Sequence, residues 1–382
     1  MLKGFIHYKN GRIPFVIEKY RMELFTDDSL LTDFMKDDNF QSDYVLTGEC
    51  FNLGVTSQKI TINVEYSIGN TCYLTCFLIN QIGHDVQFDS AVFTSELLDC
   101  IFRYKYNYLD IAKAGTNLSA ETKEVYCIPF SLYETPYELK YIVGHQHRLG
   151  LLKKFEMAGE AVVSLNSTDI KECFRITTLM ERFMTFMSNS SDVYFRCITL
   201  TNKGLPSAFF HCKSISEKLS TGLDVLFYKF DVMRYSPKIL QNLAENPGNK
   251  ITTSMTLGHI GNLESMFTPQ RFIEQITAFE YLFEKLEPLK AKQRTVHLVD
   301  ELEYMFTAFP QILSGIHKNT KAVSNEIKAL RVDIVHGHAY YYDFATNHMF
   351  RYFMFSLDTL IKCMNLRLAG FSDEEIHNFS AF

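Results

Sequence analysis

Apolar and polar residues alternate one for one over 60–66, with Ile60, Ile62, Val64 and Tyr66 on one face and Thr61, Asn63 and Glu65 on the other. A period of two predicts a strand with one buried side. Further β-rich runs occur at 73–79, 125–130, 161–165 and 194–201, and turn signals at 68–70, 114–116, 189–192 and 202–204 separate several of them. Many short, punctuated strands predict one or two antiparallel sheets, a sandwich among the options. A helix interrupts them over 169–187. Ser167 and Thr168 are its candidate caps, and Ile170, Cys173, Thr177, Met180, Phe183 and Met187 recur at helical spacing. Such a stripe reads as a helix laid on a sheet.

The period changes to 3.6 after Thr268. Thr268 and Pro269 form a cap followed by proline at the first helical position, and Phe272, Ile276, Phe279, Phe283 and Leu286 make one apolar face. A second helix is predicted over 294–314, kinked or stopped early by Pro310. The third covers 320–335. The fourth starts after Asp343 and runs to Leu368, with Gly370 as its cap. Between the two halves, 225–232 reads as a strand, 238–244 as a helix and 246–249 as a turn. The expected organisation is therefore α+β: a β-rich antiparallel domain over 1–212, a joining segment over 213–262, and an all-α four-helix bundle over 263–382.

Composition narrows the function. Lys and Arg number 38 against 44 Asp and Glu, a formal charge of -6, so a bulk electrostatic grip on nucleic acid is excluded and any such contact needs a local pocket. The 9 cysteines are scattered without a CxxC pair, which fits reduced thiols in a cytoplasmic protein. The first residues, Met1-Leu-Lys-Gly-Phe-Ile-His7, lack the apolar core of a signal peptide, and no apolar run approaches the ~18 residues of a spanning helix. A soluble, cytoplasmic chain without membrane contact is expected.

The segment Leu330-Arg-Val-Asp-Ile-Val-His-Gly-His338 carries the most chemistry. Arg331 offers a permanent planar cation suited to phosphate, and His336 can move a proton near neutral pH. Together they could cleave RNA without metal. The imidazole would move the proton of a ribose 2′-hydroxyl or of the 5′-leaving oxygen, while the guanidinium holds the phosphate. In a straight helix five residues rise ~7.5 Å and rotate ~140°, so the two side chains diverge. Either the helix unwinds at Gly337, or two chains pair so that each brings both residues to one cleft. Glu280, near the apolar face of the first helix, either pairs with Arg331 and orients it or sits on the helix flank. His338 and Asp333 are candidate supporting residues. His336, His338 and Asp333 or His348 make a weak metal set, His145-Gln-His147 reads as a polar loop, and Tyr340-Tyr-Tyr342 could stack bases or pack in an interface. No cofactor and no metal is expected.

The helical third resembles the HEPN domain family, and in particular the HEPN domain of ApeA-type abortive-infection proteins. The resemblance rests on Phe272-Ile-Glu-Gln-Ile-Thr-Ala-Phe-Glu280 and on Leu330-Arg-Val-Asp-Ile-Val-His-Gly337, which is similar to the family's R-x4-6-H signature followed by glycine. The upstream part is similar to the ApeA N-terminal domain through the helix at 174–187 and the strand at 193–200. The resemblance implies a four-helix HEPN bundle, homodimerisation through it, and metal-independent endoribonuclease activity. RNA, tRNA or another structured RNA included, is the implied substrate, and antiviral defence by abortive infection the implied role, with a phage-derived trigger acting on the N-terminal domain. Carried over by position, Arg331 and His336 are the catalytic pair. Val332 departs from the polar residue that usually follows the arginine; the acid comes one residue later, as Asp333. That departure favours the alternative, a non-catalytic HEPN-like module that dimerises and binds a nucleotide or a partner.

Overall fold

The computed structural model describes residues 1–9, 11–26, 43–52, 56–81, 87–102, 123–146, 156–188, 193–215, 232–245, 267–292, 297–310, 319–338, 343–344, 346–368 and 370–379. The expectations at 114–116, 189–192, 225–231, 246–261, 340–342 and His147 lie outside them. The chain divides into two compact units. One is Met1–Glu181 with Tyr194–Ser220, and the other is Arg182–Val193 with Thr221–Phe382. The first unit thus runs past residue 212, and the second takes in most of the stretch read as a joining segment.

The first unit is built on strands β1 (Leu2–Tyr8), β2 (Gly11–Glu18), β3 (Arg21–Leu24), β4 (Tyr44–Asn52), β5 (Thr56–Ile68) and β6 (Thr71–Asn80). Every ladder among them is antiparallel. Period-two patterning supplies the interior: Ile6 and Tyr8, then Ile13, Phe15 and Ile17, then Ile60, Ile62 and Val64 all point into one core. The order β3-β2-β1-β4-β5-β6 closes on itself because β3 also pairs with β6, Met22 facing Cys72. A barrel results rather than a sandwich. The closing strand has four residues and its partner lies about fifty residues away, so no local pattern announces it. Where β1 and β4 approach, Gly4 and Gly48 are required: a Cβ on either would collide with the backbone carbonyl of Glu49 or of Phe5.

β6 continues into further ladders with β12 (Leu205–Cys212), β11 (Cys197–Asn202), β7 (Ser90–Thr94), β10 (Glu156–Ser164), β9 (Thr135–Gln146) and β8 (Lys123–Leu132), in that order. His145 falls on β9, paired with Met157, and not in a loop. Helix α1 (Glu96–Ile101) lies against β10. Helix α2 (Ile170–Ser188) buries Ile170, Cys173, Thr177, Met180, Phe183 and Met187, the stripe expected from its spacing, and Ile176 beside it. Its cap is Asp169 instead of Ser167 or Thr168: the Asp169 carboxylate accepts the Lys171 N–H at 3.0 Å. Glu172, buried in the first turn, accepts hydrogen bonds from the Tyr137 hydroxyl at 3.0 Å, the Asn166 N–H at 2.9 Å and the Ser167 hydroxyl.

The second unit contains helices α3 (Val232–Glu245), α4 (Pro269–Leu286), α5 (Pro288–Ala291), α6 (Leu298–Ala308), α7 (Thr320–Val335), α8 (His348–Leu368) and α9 (Asp373–Phe379). Thr268 caps α4, its hydroxyl accepting the Arg271 N–H at 3.3 Å with Pro269 in the first turn. α4 and α8 run antiparallel, shown by the ring pairs Phe267–Phe355 at 5.4 Å and Phe272–Phe350 at 5.5 Å. α6 packs on α7, and α7 touches α4. α6 begins at Leu298, where His297 and Asp300 form a reciprocal cap, and stops at Ala308, two residues before Pro310. α3 turns Ile239, Leu240 and Leu243 inward and stacks Tyr235 on Phe371 at 5.0 Å. Among the described residues no helix is long and apolar enough to cross a membrane.

Candidate functional site

Arg331 sits in the last turn and a half of α7, a helix whose inward residues Ser324, Ile327 and Leu330 leave Arg331 on the flank. Its guanidinium reaches the Glu280 carboxylate on α4 at 3.3 Å, the side chains being 39 % and 38 % exposed. Glu280 therefore does both things the sequence allowed: it lies on the flank of α4 and it holds Arg331. Glu301 on α6, half-buried, completes an acidic corner. Burial first, then the neighbouring charges of Glu280 and Asp300, push its carboxyl above the usual carboxylate range. Nothing in the motif pointed to Glu301. Its place one residue before Leu302, on the edge of the apolar stripe of α6, is the signal that could have found it.

Five residues beyond Arg331 the helix ends. His336 takes the cap position with φ -87 and ψ 2, outside helical geometry, and Gly337 follows at φ +71. The Gly337 N–H donates to the Ile334 carbonyl at 3.2 Å, and the His338 N–H donates to the Asp333 carbonyl at 2.7 Å. These two bonds are the crossed pair of a Schellman termination, which requires the left-handed conformation that glycine adopts at no steric cost. The chain reverses, and the rings of His336 and His338 stack with centroids 5.9 Å apart at 28°. Unwinding at Gly337 was one of two routes by which Arg331 and His336 could be brought together. The turn places His336 against His338 instead, and among the described residues no hydrogen bond, ion pair or ring contact joins His336 to Arg331; Asp333 contributes its backbone carbonyl, with a half-buried side chain.

Chemically the corner offers a guanidinium held by a carboxylate, and two imidazoles open to solvent one helical turn further along. Val332 and Val335 flank them, 41 % and 62 % exposed, an apolar pair at i, i+3 on the same helix end. Among the described residues no group of three or more His, Cys, Asp or Glu side chains is placed to hold a metal ion, His336, His338, Asp333 and His348 included. The buried cysteines are poor nucleophiles: burial pushes the Cys76 thiol up to about 12 and the Cys50 and Cys212 thiols up to about 11. No protein-family model, curated protein or solved structure matches the chain.

Proposed function

We propose that this protein is a metal-independent endoribonuclease of abortive antiviral defence, in which Arg331 and His336 form the catalytic pair and two copies of the helical unit build one cleft. The observation that carries the reading is the end of α7, where a positioned arginine and two stacked, solvent-facing histidines emerge beside an exposed apolar pair. In the reaction one imidazole takes the proton of a ribose 2′-hydroxyl as the 2′-oxygen bonds to phosphorus. The bond from phosphorus to the 5′-oxygen breaks, and a protonated imidazole returns a proton to that leaving oxygen. Arg331 exchanges Glu280 for the phosphate and stabilises the charge on its oxygens. The family's four-helix bundle, its dimer and a phage-derived trigger acting on the β-rich unit belong to the same reading, and rest on the resemblance of the motif.

Purified Arg331→Ala and His336→Ala variants should each lose at least about a hundredfold in RNA cleavage, the scale of general acid–base and electrostatic catalysis. Their circular dichroism should match the parent, since both side chains are exposed or half-exposed. DNA of the same sequence should not be cut, and a chelator should leave cleavage unchanged. Either variant cutting like the parent would refute the assignment.

A second reading is favoured by one observation: Glu280 already occupies Arg331, and Glu301 adds negative charge behind it. An HEPN-like module that binds without chemistry fits that corner. Overexpression in bacteria separates the two, because toxicity relieved by His336→Ala belongs to the nuclease alone.

A further inference from the structure

The outer wall of the barrel carries a cavity of about 550 Å³ at a fork in the sheet, within the ~300–1,000 Å³ of small-molecule sites. β6 changes partner along its length. It pairs with β3 over Thr71–Tyr73 and with β12 from Cys76 onward. Tyr20 bridges the gap between them: its carbonyl accepts the Leu74 N–H at 2.9 Å, its hydroxyl donates to the Cys212 carbonyl, and its ring lies 5.8 Å from Phe77. Lys19 and Tyr20 hold this position with φ of +48 and +63, in a tight turn without glycine.

The opposite wall is re-aimed in the same place. The β5–β6 register shifts between Asn63 and Val64 and again between Val64 and Tyr66, leaving Thr75 and Glu65 without partners in the ladder. Bulges of this kind turn side chains to the other face. Tyr66, expected to share the inner face of Ile60, Ile62 and Val64, is instead 41 % exposed and stacks on Tyr73 with centroids 4.6 Å apart at 20°.

The lining is mixed in charge. Arg21 is paired with Glu23 at 2.8 Å. Lys19 and Lys213 line the cavity without an ion pair among the described residues, as do Glu18 and Glu65. A fully anionic ligand would meet the two carboxylates, and an apolar one would strand four charges. A sugar alone would use the tyrosines and carboxylates but leave both ammonium groups idle. We propose that this cavity binds a nucleoside phosphate. The base stacks on the Tyr66–Tyr73 platform, Lys19 and Lys213 hold the phosphate, and Glu18 and Glu65 accept hydrogen bonds from sugar hydroxyls or exocyclic amines.

The site is independent of the ribonuclease reading and can be tested in the full-length His336→Ala chain, which spares any RNA probe. Calorimetric titration with the four nucleoside 5′-monophosphates, the matching nucleosides and inorganic phosphate gives the expected order. At least one monophosphate binds, and its nucleoside and inorganic phosphate bind at least about tenfold more weakly, the scale of losing one phosphate or base contact. Tyr66→Ala and Lys213→Ala each weaken binding about tenfold, one base–aromatic stack or one charge contact, with unchanged melting temperature. A 5′-phosphorylated RNA tetranucleotide separates the sources: tighter binding than the monophosphate identifies a strand end as the natural ligand, equal or weaker binding a free nucleotide. Absence of binding by every monophosphate and by the tetranucleotide up to the order of 1 mM, or binding that survives both substitutions, overturns the proposal.

Discussion

Glu301 shows how one carboxylate can set the pH behaviour of the whole corner. Because its carboxyl is pushed above the ordinary range, just above that range the native protein holds a proton there more often than the unfolded chain does. Over the window from the ordinary value near 4 up to the raised one, the native state binds more protons, so stability falls as pH rises through it. A glutamine at this place carries no such penalty. Urea unfolding of Glu301→Gln should give a higher midpoint than the parent at pH 7, with the difference vanishing at about pH 3, well below the ordinary value, where the carboxyl is protonated in folded and unfolded chains alike. A difference that persisted there would assign the effect to packing rather than charge. The motif residues could be picked out because Arg331, His336 and Gly337 lie within one short segment. Glu301 was not, because its neighbours Glu280 and Asp300 reach it only after α4 and α6 have packed.

Among the elements, the end of α7 depends on one backbone torsion. Gly337 has open space where a side chain would go, so replacing it adds no clash, and the cost is conformational alone. Gly337→Ala should lower stability by about 1 kcal/mol, measured as a shift in urea midpoint at constant slope. It should also lower RNA cleavage, since the turn that stacks His338 on His336 is strained; full activity with the same loss of stability would remove His338 from the mechanism. Helices were read well from sequence because their signals are local: Thr268 with Pro269 opens α4, and Phe272, Ile276, Phe279 and Phe283 fill one face. α8 likewise ends before Gly370, whose φ of +83 closes a second termination of the crossed kind. Strands were read in part. The interior alternation of β5 was plain, but β1 to β4 went unmarked, since apolar outer positions such as Phe5, Val16, Val45 and Phe51 and the inward glycines Gly4 and Gly48 blur the contrast between faces. The flip of Tyr66 was invisible, because a bulge is a property of two paired strands and not of either one.

For the molecule as a whole, the acidic balance of the chain sets the terms of the proposed activity. A single Arg331 next to Glu280 and Glu301 offers phosphate little net attraction; in the proposed dimer, two copies meeting at the α7 ends would aim two guanidinium groups at one phosphate from opposite sides and would cover Val332 and Val335. Light scattering on the purified protein should give the mass of a dimer. Val335→Asp, placed on an exposed side chain and so sparing the core, should shift it toward monomer and reduce cleavage in parallel. A monomeric parent with full activity would place both catalytic residues in one chain and end the composite-cleft account.

The double duty of β6 has a consequence of its own. One edge stays on β5 almost throughout, while the other serves the barrel through β3 along one stretch and the neighbouring ladders through β12 along the next, with Thr75 as the odd residue between them. Losing or gaining one residue there cannot be absorbed by sliding, because a slip that restores one set of pairs turns the other inside out. Among the described strands, the segment from Thr71 to Asn80 should therefore tolerate a one-residue insertion or deletion poorly, a loss of folded protein that thermal melting of such a variant would show.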